Sequence, residues 1–232
     1  KLQWANSALF AEEGGKQKMK SVLVIGLGSF GRFAAHKFAQ LGNDVMVVDT
    51  DERAVNDILP YVTSAQIADC TNEQVLRSFG VDNFDICLVA VGENFQSSLE
   101  ITSLLKDLGA PYVVSKATRD IQAKFLLRNG ADSIVYPDKD MAENLAVRAS
   151  SDNIFECIDL TPQLSIYEIS PPKAWLGKTV GQVDVRRKYD LTILASKDGD
   201  NVVPITSPDY TFREDHHLMV LAKEKDIHKL RD

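Results

Sequence analysis

Residues Gly26-Leu27-Gly28-Ser29-Phe30-Gly31 spell a G-x-G-x-x-G, and a carboxylate, Asp49, follows it by roughly 20 residues. A loop of this kind does no bond chemistry of its own. Gly26 permits a tight turn, Gly28 lets backbone come close to a pyrophosphate, and Gly31 lets the following helix pack near the preceding strand. A helix start offers unpaired N–H groups and a positive dipole end to phosphates. An aspartate at this distance suits the hydroxyls of a ribose. Ser29 and Phe30 complete the loop and share the site. The alternative is a glycine-rich turn that holds nothing.

The context favours a nucleotide. Val22-Leu23-Val24-Ile25 before the loop is a short β-branched apolar run, read as a strand. After it Phe30, Ala34, Phe38 and Leu41 recur at helical spacing, so they share one face. Gly42-Asn43 stops the helix, and Val45 to Val48 forms a second strand ending on Asp49.

The next candidates sit where later strands end. Asp69 follows a weak third strand and either faces an adenine or serves as an acid at the next helix start. Ala90, Gly92 and Asn94 follow a fourth strand, 86–91, whose carboxyl end borders the crevice of a doubly wound sheet. Gly92 is either a place of close ligand approach or a simple turn. Of the four histidines, His36 lies in the first helix and His216, His217 and His228 lie around the last strand. None falls on a strand exit loop, where a dehydrogenase would need its acid–base group. The residues therefore argue against an enzyme. An NAD-dependent oxidoreductase or redox-sensing enzyme, and a scaffold with a vestigial pocket, are the competing readings.

Composition sets bounds. The chain has 232 residues, 44% hydrophobic and 25% charged, with a net charge of -7. The acidic balance argues against a nucleic-acid partner, which would require a basic face. No apolar run is long enough to span a bilayer. Cys70, Cys87 and Cys157 are far apart and in no metal-like spacing, which reads as ordinary buried thiols in a reducing, cytosolic setting. Residues 1–18 read as a tail or an expression remnant outside the fold, and Met19 as a natural start.

Along the chain, a helix begins at 51–53 and ends near 59–60. A third strand covers 64–68, and Thr71 is the expected N-cap of a helix running to Phe79 and stopped by Gly80. A long helix ends at 108, a fifth strand covers 111–116, a helix 119–128 and a sixth strand 133–136. Six strands alternating with helices, several apolar on both faces, predict an α/β fold: a doubly wound parallel sheet, the Rossmann unit, over residues 19–137. A crossover helix and hinge follow over 138–156. Residues 157–232 then predict a small α+β lobe with strands at 157–160, 164–169, 191–195, 201–203 and 217–222 and one short helix at 179–189. So small a lobe needs a neighbour to cover its apolar face.

The motifs GLGSFG, VVD, ADCT, AVGENFQSS, GAD with YPDKDM, and VRRKYDLTILA, in this order from Met19 to about Ile227, resemble the regulatory RCK subunits of Ktr/Trk potassium uptake systems. The resemblance implies a non-enzymatic, cytoplasmic protein. Such subunits form homo-dimers that assemble into rings, typically octameric, and dock on a membrane potassium pore. An adenine nucleotide, ATP or ADP with NAD(H) as the alternative, changes the ring and gates ion flow. The resemblance also implies that Lys116 meets terminal phosphates and that Asp138 coordinates Mg²⁺ or Ca²⁺ there. The bland alternatives are a surface lysine and a helix-start acid. It implies a second ligand, cyclic di-AMP, between two small lobes, with Val183, Ile193 and Pro204 as apolar walls and Arg186 on a phosphate; plain core and surface residues are the alternative. One departure stands out. ATP-regulated members commonly carry arginine where this chain has Ser29, and a serine supplies no charged fork to phosphate. Asp190 likewise stands where many relatives have glycine.

Overall fold

The computed structural model describes residues 19–92, 94–150, 153–161 and 163–230. Residues 1–18 and Glu93 lie outside the described residues. The chain divides into two compact units with the boundary between Lys139 and Asp140.

In the first unit six parallel strands, β1 (Ser21–Ile25), β2 (Asp44–Asp49), β3 (Ser64–Ile67), β4 (Ile86–Val89), β5 (Val113–Lys116) and β6 (Ser133–Val135), stand in the order β3-β2-β1-β4-β5-β6. Between them run α1 (Ser29–Gln40), α2 (Glu52–Ile58), α3 (Glu73–Phe79), α4 (Phe95–Asp107) and α5 (Asp120–Arg128). The pleat sorts side chains onto two faces. Val22 and Val24 go with Val45, Val47 and the α1 and α2 residues Ala35, Val55 and Ile58. Leu23 and Ile25 go with Val48, Val89 and the α3 and α4 residues Leu76, Ile101 and Leu105. Burial on both faces is why β1 and β4 read as continuous apolar runs.

Two glycines are demanded by geometry. Gly26 has φ of +96°, a left-handed conformation that side chains disfavour. At Gly31 a Cβ would collide with the Gly26 carbonyl oxygen, so α1 can lie against the loop only without a side chain there. The cap of α3 differs from expectation. Asn72 caps it by accepting the Gln74 N–H at 2.9 Å, because Thr71 turns back and donates its main-chain N–H and hydroxyl to Asp69. Gly80 ends the helix at φ of +63°, as anticipated. Helix α6 (Pro137–Ala149) contains the boundary between the units.

The second unit holds an antiparallel sheet in the order β10-β9-β11-β8-β7. Its strands are β7 (Ile154–Thr161), β8 (Leu164–Ile169), β9 (Thr192–Asp198), β10 (Asn201–Pro204) and β11 (His217–Ala222). Tyr167, Ile169, Leu218 and Val220 pack with Trp175, Leu191 and Phe212, and Trp175 has ring centroids of Tyr189 and Phe212 at 5.2 Å each. The single helix expected at 179–189 is two pieces, α7 (Val180–Val183) and α8 (Val185–Tyr189). Thr179 and Gln182 form a capping box that starts α7. Asp184 then takes φ of +53°, a break that buries both Val183 and Val185. Asp190 adopts φ of +57°, a left-handed conformation that ends α8 without a glycine. A short helix, α9 (Glu224–Ile227), follows β11; its four residues carried no helical period to find.

Candidate functional site

The strand order 3-2-1-4-5-6 reverses direction at β1 and β4, and a ligand crevice opens beyond the carboxyl ends of strands at such a point. A cleft of about 960 Å³ lies there, within the first unit. Gly26, Gly28, Ser29, Phe30, Asp49, Asp69, Ala90, Gly92, Asn94, Lys116 and Asp138 all line it. Gly31 is buried behind the loop.

The start of α1 borders the cleft with Gly28 as its N-cap and no side chain bonded to its first turn. Those N–H groups have no intrahelical partner. At Gly28 a Cβ would meet nothing within 4 Å. No protein contact requires glycine at this position, and a side chain would occupy space on the cleft wall. Asp49 is fixed from both sides: Oδ2 accepts the Leu27 N–H at 2.5 Å and Oδ1 accepts the Asp51 N–H at 2.9 Å.

Asp69 is held by Thr71, whose N–H and hydroxyl donate to Oδ1 at 2.9 and 2.7 Å. These bonds keep its carboxyl below the usual aspartate range against a small burial effect. Asn94 caps α4, accepting the Ser97 N–H at 3.1 Å, besides lining the cleft. Lys116, its side chain 17% exposed, places Nζ 3.7 Å from Oδ2 of Asp138 in the first turn of α6.

Sequence reasoning passed over Thr50, Thr71, Ser97, Glu100 and Thr118, which also line the cleft. Thr50 and Thr71 adjoin or lie close to acids already singled out. Ser97 and Glu100 stand three apart near the start of α4, a spacing that sets them on one face. Among the described residues the cleft wall therefore carries four carboxylates, Asp49, Asp69, Glu100 and Asp138, and one ammonium, Lys116. It contains no histidine among those residues. His36 packs edge-on to Tyr61 at 5.1 Å, and His216 and His217 belong to the second unit. The Cys70 thiol in the wall is pushed up to about 12, first by burial and then by Asp69 and Asp49. Burial raises the Cys87 thiol to about 12 and that of Cys157 to about 11.

In the second unit Val183 is part of the core, Ile193 is half-buried, and Arg186 and Pro204 are exposed.

Residues 22–137 match the TrkA-N domain and residues 164–232 the TrkA-C domain. The chain is 36% identical to Ktr system potassium uptake protein A of Bacillus subtilis over 94% of its own length and 98% of that protein. This chain belongs to the TrkA-N/TrkA-C family of Ktr potassium-uptake regulatory subunits. Ktr system potassium uptake protein C of B. subtilis is also 36% identical, over 90% of this chain and 94% of that one. The GsuK channel shares the fold at a TM-score of 0.67 and 16% identity, over 94% of this chain and 40% of that one. The GsuK channel bound to NAD aligns at a TM-score of 0.65 and 14% identity, over 98% of this chain and 42% of that one. Both B. subtilis relatives are named as proteins of a potassium uptake system. No helix among the described residues of this Ktr-family chain is long and apolar enough to cross a membrane.

Proposed function

We propose that this chain is the nucleotide-sensing regulatory subunit of a potassium uptake system, working without catalysis at the cytoplasmic face of a membrane pore protein. The observation that carries this reading is the cleft at the switch point of the sheet. In it an uncapped helix start, the open face of Gly28 and the doubly held Asp49 lie together. The ligand is an adenine nucleotide, with ATP or ADP preferred and NAD(H) the alternative; a related fold is known as the GsuK channel bound to NAD and bound to ADP.

In this reading Asp49 takes the ribose hydroxyls and Asp69 with Thr71 borders the base. The loop and the start of α1 take the first phosphates, and Lys116 takes the last one. Four carboxylates around one ammonium oppose a polyphosphate. A hard cation such as Mg²⁺ or Ca²⁺ at Asp138 would offset that repulsion, since carboxylate and phosphate oxygens suit it.

Helix α6 leaves Met141 and Leu145 70% and 61% exposed. This supports pairing with a second copy and growth to a ring, octameric by family resemblance. In the small lobe the residues proposed for cyclic di-AMP at a two-fold interface are exposed Arg186 and Pro204, half-buried Ile193 and Val183, which is set in the core.

Potassium flux through a Ktr-type pore reconstituted in vesicles, with and without this chain and with ATP, ADP or NADH, tests the function. Nucleotide-dependent flux that disappears without the chain is expected. Flux indifferent to the chain overturns the reading.

A further inference from the structure

Gly92 lies three residues beyond the end of β4, beside the cleft. Its backbone does not occupy the left-handed region, and so does not itself call for glycine. Packing does. A methyl group there would stand 3.2 Å from Nζ, 3.3 Å from Cε and 3.5 Å from Cδ of Lys116. Lys116 ends β5, which lies next to β4 in the sheet, and its stem runs back over the exit loop of that neighbour.

We propose that Gly92 is a positioning residue: its missing side chain forms the notch through which Lys116 crosses the cleft, and the ammonium so held is shared between Asp138 and the terminal phosphate of a nucleotide. The inference rests on the adenine-nucleotide reading above. It replaces direct ligand approach at Gly92 with an action through another residue. Lys116 is the one cation of the wall among the described residues, so its location governs how many phosphates the cleft accepts. Its distance of 3.7 Å from Asp138 exceeds a hydrogen bond. An ion pair this loose, with Asp138 83% exposed, gives up its lysine to a phosphate oxygen at little cost. A phosphate that takes the ammonium also takes it from the first turn of α6.

Calorimetry with AMP and ADP in EDTA, on wild type, Gly92→Ala, Lys116→Met and the double variant, tests the idea. The added methyl meets the far end of a flexible side chain, so the lysine end gives way by a few tenths of an ångström while the fold stays. Gly92→Ala is expected to weaken ADP binding about tenfold, the scale of a lost charge-assisted bond, and to leave AMP nearly unchanged. The double variant should bind ADP no worse than Lys116→Met. Asp138→Asn supplies a second arm: it should strengthen ADP binding more when Lys116 is present than in Lys116→Met. Equal losses for AMP and ADP, additive losses in the double variant, or no effect of Gly92→Ala overturns the inference alone. Wild-type protein that binds none of AMP, ADP, ATP and NADH, in EDTA or with Mg²⁺, overturns the nucleotide reading as well.

Discussion

Asp49 Oδ2 accepts the main-chain N–H of Leu27, so the carboxylate that closes β2 is tied to the glycine loop that closes β1. Its other oxygen accepts the Asp51 N–H. The acid therefore shapes the loop and presents itself to the crevice at once. Asp49→Ala should weaken adenine-nucleotide binding by about 1.5–3 kcal/mol, the scale for hydrogen bonds to a charged group. Calorimetry with ATP, ADP and NADH checks it, and unchanged affinity removes Asp49 from the site.

Gly28 and Gly31 should separate binding from stability. Gly31→Ala drives a methyl into the Gly26 carbonyl and should cost about 1–3 kcal/mol in denaturant unfolding, as overpacking does. Gly28→Ala meets open space. It should unfold like the wild type while losing nucleotide affinity. Equal stability losses in both variants would contradict the loop geometry.

Buried Glu168 links three strands of the small sheet, accepting from Lys197 Nζ on β9 and pairing with His217 Nδ1 on β11, each at 2.7 Å. Phe155 stacks on that imidazole at 4.0 Å. Burial alone would raise the Glu168 carboxyl, but the bonds from Lys197 and His217 outweigh it and hold the group below its ordinary 4.5. With the folded value depressed, the stabilisation is present above pH 4.5 and fades as pH falls through the lower folded value. Glu168→Gln should cost about 2 kcal/mol at neutral pH and flatten the acid limb of the stability curve. A variant whose acid unfolding follows the wild type would refute this.

Met141, Leu145 and Ala149 are all exposed along α6. Light scattering at micromolar concentration should give a dimer or larger, and Leu145→Glu should shift it toward monomer. A wild-type monomer in the presence of nucleotide would count against assembly through this helix.

Local spacing made much of the site legible. The glycine loop, Asp49 and the strand ends all lie within short windows where turn chemistry and apolar runs leave a period. Features that depend on partners distant in sequence did not show. Gly92 read as a turn or a ligand contact because its neighbour, Lys116, arrives only through the pairing of β4 with β5. Glu168, Lys197 and His217 meet only once the register of β8, β9 and β11 is set. Thr71 and Asn72 are both good caps by type. The Asx-like contact of Thr71 with Asp69 decided between them. The break at Asp184 was hidden because Val183 and Val185 both belong to the core, which no single helical face predicts.

All three cysteines are buried, with thiols raised to about 11 or 12. A thiol at those values is almost wholly protonated at neutral pH, and the thiolate is the species that reacts. The native chain is therefore a quiet background for maleimide labelling. A cysteine placed on exposed α6, such as Ala142→Cys, would outpace the native ones and carry a spin label or fluorophore without further substitutions. Distances between such labels in paired chains would then report the state of the assembly directly.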